Sequence, residues 1–441
     1  MQVFTRRRKL IVVVVLLALA FAFRLAFGLC SDFWTDDERQ VYLIGLKFYT
    51  TGVWPYFGPD VTNTIQIPGA LQGLVVGLPL YVWPAPEAPF VLLNVLSFAS
   101  LCFFAWYCSR RLPEIPRWII WTWLLTAPWT LNFSTHIVNP SYVLTGGILF
   151  FVGLFETLPF LRRDIVPPKY ANLLMGLGLC WVMQFHMSWV VLVMLALVSL
   201  LLQRRAAGAR AVLPSLAWFA LGAALTGSLL VPTYLKYGLL AGAGGTNAVV
   251  EFNARNLLKL LNPVEGILGR FLSFASFELP RFIGDNTRTR LLFLRENPWL
   301  APFALFLGAV GILQPVALAA LWFRRTHRER DWKAVKYFTL VLLGLLYVSF
   351  VFSFRAPHSH TFYVTLPVAM LYSLYCWDEF LRRRRWQRFA LIFLACGVIF
   401  HAGLALNNFR HKSVYLNRQI PVAAIEEKNY HILGERREGS R

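Results

Sequence analysis

Three carboxylates stand next to one another early in the chain, at Asp36, Asp37 and Glu38, close to Trp34. Adjacent carboxylates repel one another, and a carboxylate near lipid is costly unless it binds something. A carboxylate within hydrogen-bond reach of a hydroxyl can act as a general base, so this triplet is the first candidate for catalysis. The alternative is structural, because acidic residues are also favoured in the first turn of a helix.

Further polar residues that could bind a substrate stand near the ends of apolar stretches. Arginine and histidine bind phosphate through charge-assisted hydrogen bonds, and nearby amides can line a pocket. Candidates of these types are Arg39, His136, His186, Arg355, His358, His360 and Tyr363. Structural alternatives remain open: Arg355 could reach the membrane interface, and Tyr363 could belong to an aromatic belt.

Motifs for nucleotide chemistry, metalloproteases and serine hydrolases are absent from the sequence. It contains no P-loop, no HExxH, no GxSxG, and no GxGxxG in a strand-turn-helix setting. Coupling to ATP is therefore not expected. A divalent cation could bridge Asp36 or Asp37 and a phosphate, although the sequence shows no complete ligand set.

The elements that must position these residues are membrane helices. Of the 441 residues, 57% are hydrophobic and 15% are charged, which excludes an ordinary soluble protein. Because apolar stretches recur along the whole chain, we predict an all-α integral membrane protein that spans the bilayer many times. The net charge of +21 comes from clusters between these stretches, as is typical of cytoplasmic loops, so no nucleic-acid partner is expected. The clusters are residues 6–9, 110–111, 162–163, 204–205, 324–336 and 382–385.

The positive-inside rule predicts how the spans are oriented. Residues 10–29 are long enough to cross and carry no cleavage signal, so we expect an uncleaved first span with a cytoplasmic N-terminus. Residues 68–83 would form a helix of about 24 Å, short for a bilayer core, and are expected to lie at the outer interface or to be re-entrant. The predicted spans, about eleven, are residues 10–29, 89–108, 118–133, 142–161, two within 172–202, 212–237, 298–323, 335–354, 362–381 and 389–406.

The predicted spans form one domain, residues 1–406, with two long outer segments. The first outer segment, residues 31–88, holds the acidic triplet and interfacial helices. The second, residues 238–297, has amphipathic stretches that suit helices lying on the outer leaflet. Residues 407–441 are expected to be an extracytoplasmic tail. Histidines at the outer ends of the spans favour a site on that face: His136, His186, His358, His360 and His401.

Several short motifs follow one another in order over about residues 20–380. Arg24 and Leu25 are followed by Trp34, Asp36, Asp37, Glu38, Arg39 and Gln40, and then by residues 52–55 and 58–59. Later pieces are residues 68–71, 139–140, 184–188, 359–363 and Pro367. In order and spacing these motifs resemble the polyprenyl-phosphate glycosyltransferases of the GT-C fold, of the protein O-mannosyltransferase-like or aminoarabinose-transferase-like kind.

This resemblance implies a helical bundle with GT-C type extracytoplasmic loops, in the inner (plasma) membrane of a bacterium. It implies transfer of a sugar from a polyprenyl-phosphate donor to a hydroxyl of a lipid, glycan or protein acceptor. The family motif is a tryptophan followed, one residue later, by an Asp-Glu pair. If the motif is aligned on Trp34 and Arg39, the pair falls on Asp36 and Asp37. If it is aligned on the Asp-Glu sequence itself, the pair falls on Asp37 and Glu38. Gln66 stands near the position where relatives have a histidine or glutamate, and Asn139 where many have an aspartate. The resemblance therefore adds Gln66, Asn139 and Gln184 to the candidate binding residues, while Asn139 could instead simply begin a helix.

Such a reaction needs a base for the acceptor hydroxyl and positive charge for the departing phosphate. The resemblance makes Asp36 or Asp37 the base, and the outer candidates for the phosphate are Arg355, His358, His360 and Tyr363. Two other interpretations are open. A transporter or flippase would move a lipid-linked glycan without chemistry, but it would more often show internal repeats or charges in mid-membrane. An inactive relative would act as a scaffold in the cell envelope.

Overall fold

The computed structural model describes residues 2–31, 36–61, 65–238, 253, 255, 262–277, 283, 286–324, 329–352, 359–411 and 414–434. These residues are almost entirely helical, and eight of their helices are long and apolar enough to cross a membrane. The chain therefore has the architecture of an all-α membrane protein. The eight candidate spans are Leu10–Cys30, Ala88–Arg111, Asn139–Thr157, Trp189–Ala206, Val212–Tyr237, Ala301–Leu321, Glu329–Phe352 and Arg384–Arg410.

The α-helices of the described residues are numbered here in chain order. The N-terminal half contains α1 (Gln2–Cys30), α2 (Asp36–Thr51), α3 (Leu71–Val82), α4 (Ala88–Arg111), α5 (Arg117–Thr126), α6 (Pro128–Asn132), α7 (Asn139–Thr157), α8 (Pro168–Met183), α9 (Trp189–Ala207), α10 (Ala209–Gly227) and α11 (Val231–Tyr237). The C-terminal half contains α12 (Arg270–Phe274), α13 (Thr287–Glu296), α14 (Ala301–Leu321), α15 (Glu329–Ser349), α16 (Leu366–Leu381), α17 (Arg384–His411), α18 (Val414–Glu426) and α19 (His431–Gly434). Helical turns of other types are Ser228–Leu230, Asn262–Gly269, Phe350–Phe352 and Ser359–Thr365.

Three of the predicted spans form helices that are too short to stand among the eight. Residues 118–133 divide into α5 and α6, because Pro128 forces the preceding Ala127 into an extended conformation. Helices α8 and α16 contain 16 residues each. The count of eleven spans therefore stays a prediction.

The stretch 68–83, predicted not to cross, contains α3, which has only 12 residues. It packs closely against α2, where a Cβ atom added to Gly77 would stand 2.7 Å from the carbonyl oxygen of Gly45. Only glycine at these positions allows the two backbones to approach so closely. Helices α2 and α3 thus form one compact unit in the first outer segment.

The all-α prediction missed one small element between α2 and α3. Strands β1 (Phe57–Val61) and β2 (Ile65–Pro68) pair antiparallel, with Phe57 opposite Pro68. Proline is disfavoured in the interior of a helix, so Pro59 prevents a helix here, and the β-branched residues Ile65 and Ile67 favour an extended chain. This hairpin leads directly into α3.

Ion pairs join segments that carry the basic clusters. Arg163 pairs with Asp331, and Arg382 pairs with Glu114. The first pair connects the loop after α7 to the start of α15, and the second connects the loop after α4 to the end of α16. Segments predicted to be cytoplasmic are therefore neighbours in the structure.

A buried ion pair lies beside these loops. The Glu156 carboxylate accepts a hydrogen bond from the Tyr107 hydroxyl at 2.8 Å, and Arg111 Nη1 is 3.7 Å from the same oxygen. Arg111 also donates to the Tyr375 hydroxyl at 3.1 Å and to the Leu161 carbonyl oxygen at 2.8 Å. Because buried charges are costly unless they are paired and hydrogen-bonded, this network ties α4, α7 and α16 together.

The segment predicted to be a tail forms helices that contact the first outer segment. Arg418 on α18 donates to the carbonyl oxygen of Leu29 at 2.6 Å and pairs with Glu87 at 3.2 Å. Ile425 on α18 and Leu433 on α19 are buried. Residues 414–434 are therefore packed against the rest of the chain.

Candidate functional site

Helix α2 gives the members of the acidic triplet different surroundings. Asp37 is exposed, whereas Glu38 is only 2% exposed. Glu38 lies three and four residues before Val41 and Tyr42, which are fully buried, so all three share the inward face of the helix. Asp36 begins the helix, and its side chain lies outside the described residues. An exposed and a buried carboxylate thus stand side by side.

Two hydrogen bonds anchor α2 to distant parts of the chain. Arg39 Nε donates to the carbonyl oxygen of Leu433 at 2.6 Å. The Tyr42 hydroxyl donates to the carbonyl oxygen of Pro86, just before α4. The helix that carries the acidic triplet is therefore held on one side by the C-terminal helices and on another by the entry to α4.

His136 connects the end of α1 to the turn before α7. It is 4% exposed, with Nδ1 2.7 Å from the carbonyl oxygen of Asn132 and Nε2 2.9 Å from that of Ser31. Carbonyl oxygens only accept hydrogen bonds, so a neutral ring donates to one of the two from whichever nitrogen carries the proton. His136 therefore fixes the point where the first outer segment begins.

Tyr363 and Arg24 hold the α5–α6 region from two sides. The Tyr363 hydroxyl donates to the Trp129 carbonyl oxygen at 2.9 Å, and its ring lies 5.5 Å from that of Phe133. Arg24, fully buried on α1, donates to the carbonyl oxygen of Leu125 at 2.8 Å. The phenol of Tyr363 is thus engaged by the main chain, and its predicted role in binding substrate stays a prediction.

The turn between α8 and α9 carries Gln184 and His186. Gln184 Oε1 accepts the Leu71 N–H at 3.4 Å, and its Nε2 donates to the Thr226 carbonyl oxygen at 2.9 Å. The Nδ1 atom of His186 accepts the Ser188 N–H at 3.1 Å, which leaves the proton of a neutral ring on Nε2. Gln184 therefore ties this turn to the start of α3 and to α10.

Several buried polar atoms near these contacts have no hydrogen-bond partner within the described residues. Gln72 on α3 is fully buried, and both Oε1 and Nε2 of its amide are unpartnered there. In the first turn of α7 the same holds for Asn139 Oδ1, Ser141 Oγ and the Tyr142 hydroxyl. Buried polar groups in folded proteins are nearly always hydrogen-bonded, so these atoms are candidates for contact with a ligand or with water.

The segments that carry these atoms contact one another. Leu71, next to Gln72, is bound by Gln184. Phe185 follows Gln184 and stacks on the Tyr142 ring with 5.1 Å between ring centres. The turn between α8 and α9 thus lies against both the start of α3 and the first turn of α7.

An apolar groove of about 280 Å³ lies between α1 and α17. Its lining includes Phe23, Phe27, Cys30, Ala402, Leu406 and Phe409. The Phe27 ring also packs edge-on against His136, with 6.1 Å between ring centres. The groove therefore adjoins the contact that fixes the start of the first outer segment.

The other predicted site residues are placed only in part. Gln66 is exposed on β2. Arg355 and His358 lie outside the described residues, and only the backbone of His360 is described. No group of three or more His, Cys, Asp or Glu side chains that could hold a metal ion occurs in the described part of the chain.

Sequence reasoning missed several residues that the structure makes prominent. Gln72 is a polar residue inside the apolar stretch 68–83, and Glu156 is an ionisable residue inside a predicted span. Both are signals that a sequence can give, because polar groups at membrane depth need partners. No model of a known protein family matches this sequence, and no curated protein matches it either.

Proposed function

We propose that the protein is a membrane glycosyltransferase that moves a sugar from a polyprenyl-phosphate donor to an acceptor hydroxyl on the extracytoplasmic face. The observation that carries the proposal is the packing of α2 against α3. It brings the helix that carries the exposed carboxylate of Asp37 against the helix that carries Gln72, whose buried amide has no hydrogen-bond partner within the described residues. A base and a sugar-binding group on adjoining helices are what such a transfer requires.

The reaction follows from the chemistry of the two substrates. Asp36 or Asp37 takes the proton of the acceptor hydroxyl, and hydrogen-bond reach matters more here than a raised pKa. The acceptor oxygen forms a bond to the anomeric carbon, whose bond to the phosphate oxygen breaks, and the electron pair leaves with the phosphate. Arg355, His358 and His360 are the residues we assign to the phosphate charge.

The apolar groove between α1 and α17 suits the isoprenoid chain of the donor. Its lining is formed by aliphatic and aromatic side chains together with Cys30. Through Phe27 it adjoins His136, next to the start of the first outer segment. A chain in this groove would place the attached phosphate near that segment.

A transporter of a lipid-linked glycan is the second candidate. The buried pair of Arg111 and Glu156 favours it, because ionisable residues inside membrane helices often mark transport pathways. The pair is, however, hydrogen-bonded to Tyr107, Tyr375 and backbone atoms, an arrangement that suits a fixed structural contact. The two candidates differ in whether a sugar bond is broken.

The test is to incubate the purified full-length protein in lipid vesicles with a panel of radiolabelled polyprenyl-phosphate sugars. We expect hydrolysis or transfer with at least one donor, and loss of this chemistry in the double variant Asp36→Asn, Asp37→Asn. Asp164→Asn is a matched control, since Asp164 is an exposed aspartate in a loop predicted to be cytoplasmic. Movement of intact donor across the vesicle membrane without any bond cleavage would favour the transporter instead.

A further inference from the structure

We propose that Gln72, together with Asn139 and Tyr142, binds the hydroxyl groups of the donor sugar. This inference rests on the proposed function, because it assigns the sugar of that donor to a particular place. It starts from Gln72, whose side chain is fully buried while both ends of its amide are unsatisfied within the described residues. Leaving a buried donor and acceptor unpaired is costly, so a partner is expected.

The chemistry of the three residues selects a hydroxylated, uncharged ligand. An amide offers both a donor and an acceptor, and a sugar hydroxyl can donate and accept at once. Asn139 Oδ1 can only accept, which makes it unsuitable for a phosphate oxygen but suitable for a hydroxyl hydrogen. The hydroxyl of Tyr142, a residue that is only 1% exposed, completes the set.

Contacts between the segments support a shared site. Asn139 and Tyr142 are three residues apart on α7 and so lie on one face of its first turn. Phe185 holds the Tyr142 ring by stacking at 5.1 Å, and the neighbouring Gln184 binds the residue before Gln72. The turn between α8 and α9 therefore joins the two halves of the proposed site.

The experiment compares the thermal unfolding of purified variants with three compounds. The first is a farnesyl-phosphate sugar, in which the sugar is mannose, galactose or arabinose. The second is farnesyl phosphate without a sugar, and the third is the free methyl glycoside of the same sugar. A ligand that binds only the folded protein raises Tm, so the additional rise caused by the sugar measures its binding. The main variant is Gln72→Met, which keeps the length of the side chain but removes the amide.

We expect Gln72→Met to be at least as stable as the parent without ligand, because it removes buried polar atoms that have no partner in the described part of the chain. Its affinity for the farnesyl-phosphate sugar should fall about tenfold, while binding of farnesyl phosphate stays unchanged. Tyr142→Phe, which removes only one oxygen, should show the same selective loss. Gln203→Met is the matched control: Gln203 is bonded to Asn172 and Ser199, so its loss should lower Tm without changing the sugar's contribution.

Each result decides the inference separately from the transfer reaction. If Gln72→Met and Tyr142→Phe keep the full contribution of the sugar, or if the parent shows none, the proposed sugar site is wrong. A parent that responds equally to the free methyl glycoside places an acceptor there and overturns the assignment to the donor. If the selective loss is found but no sugar is ever transferred, the sugar site stands and the proposed transferase function fails.

Discussion

Arg39 Nε and the carbonyl oxygen of Leu433 are joined by a hydrogen bond of 2.6 Å across 394 positions of sequence. Arg39 directly follows the acidic triplet, and Leu433 belongs to the last described helix, α19. Arg418 makes a second link of this kind, from α18 to Leu29 at the end of α1. The C-terminal helices thus hold the helix that carries the candidate base.

We predict that Arg39→Gln lowers sugar transfer without preventing membrane insertion. A glutamine side chain is shorter and loses the Nε–H that binds Leu433, so α2 should be held less firmly in position. Misplacing a catalytic group by about 1 Å can cost about 100-fold in rate. The measurement is the transfer activity of the purified variant, compared with that of Arg384→Gln. Arg384 is an exposed arginine at the start of α17. Equal activity in the two variants would show that the anchor does not position the base.

The buried and the exposed carboxylate of the triplet should respond differently to substitution. Glu38 is buried, so Glu38→Gln should reduce the free energy of unfolding by about 1–3 kcal/mol. Asp37→Asn, at an exposed position, should leave the free energy of unfolding within about 0.5 kcal/mol of the parent's. Denaturation of both variants tests this, and a reversed order would contradict the assignment of the inward face of α2.

The pair of Arg111 and Glu156 should be important for stability. Glu156→Gln leaves a buried arginine without its carboxylate, which costs about 3–5 kcal/mol when a buried pair is broken. Replacing both residues, with Arg111→Met and Glu156→Leu, should recover part of that loss. Glu329→Gln, in an exposed pair with Lys333, serves as the control and should change stability by less than about 1 kcal/mol. If Glu156→Gln changed the free energy of unfolding as little as Glu329→Gln does, the buried network would contribute little to stability.

Topology is predicted by the basic clusters and by the short helix α3. Cysteines placed in residues 110–117 or 324–336 should react with an impermeant reagent only after the membrane is permeabilised. Cysteines placed after residue 407 should react in intact cells. Labelling of both basic segments from outside would reverse the orientation and move the proposed site to the cytoplasmic face.

Much of the helical architecture follows from the sequence, because apolar length decides where a chain can cross a bilayer. The sequence did not indicate the interruption at Pro128 or the strands at Ile65 and Ile67, since both lie inside stretches treated as helix or loop. Packing of residues 414–434 depends on single contacts such as that of Arg418 with Leu29, which no periodic pattern reveals.

The site could be predicted by type of residue but not by environment. Asp37 and Glu38 are neighbours, and a rotation of about 100° along α2 separates an exposed from a buried side chain. Which of them faces inward depends on how α2 packs against α3, through Gly45 and Gly77. The sequence also could not give the partners of Gln184, whose amide is bonded to Leu71 and Thr226, and its predicted place in a pocket stays a prediction.

The most direct test of the proposed function is a single-turnover measurement of sugar release and transfer from a radiolabelled polyprenyl-phosphate donor. The parent protein should convert bound donor, and the double variant Asp36→Asn, Asp37→Asn should bind it normally while reacting about 100 to 10,000-fold more slowly. Expression and folding of the variant are checked by its unchanged thermal unfolding. Wild-type reaction rates in the double variant, or a parent that binds every donor and breaks no sugar bond, would contradict the proposed function.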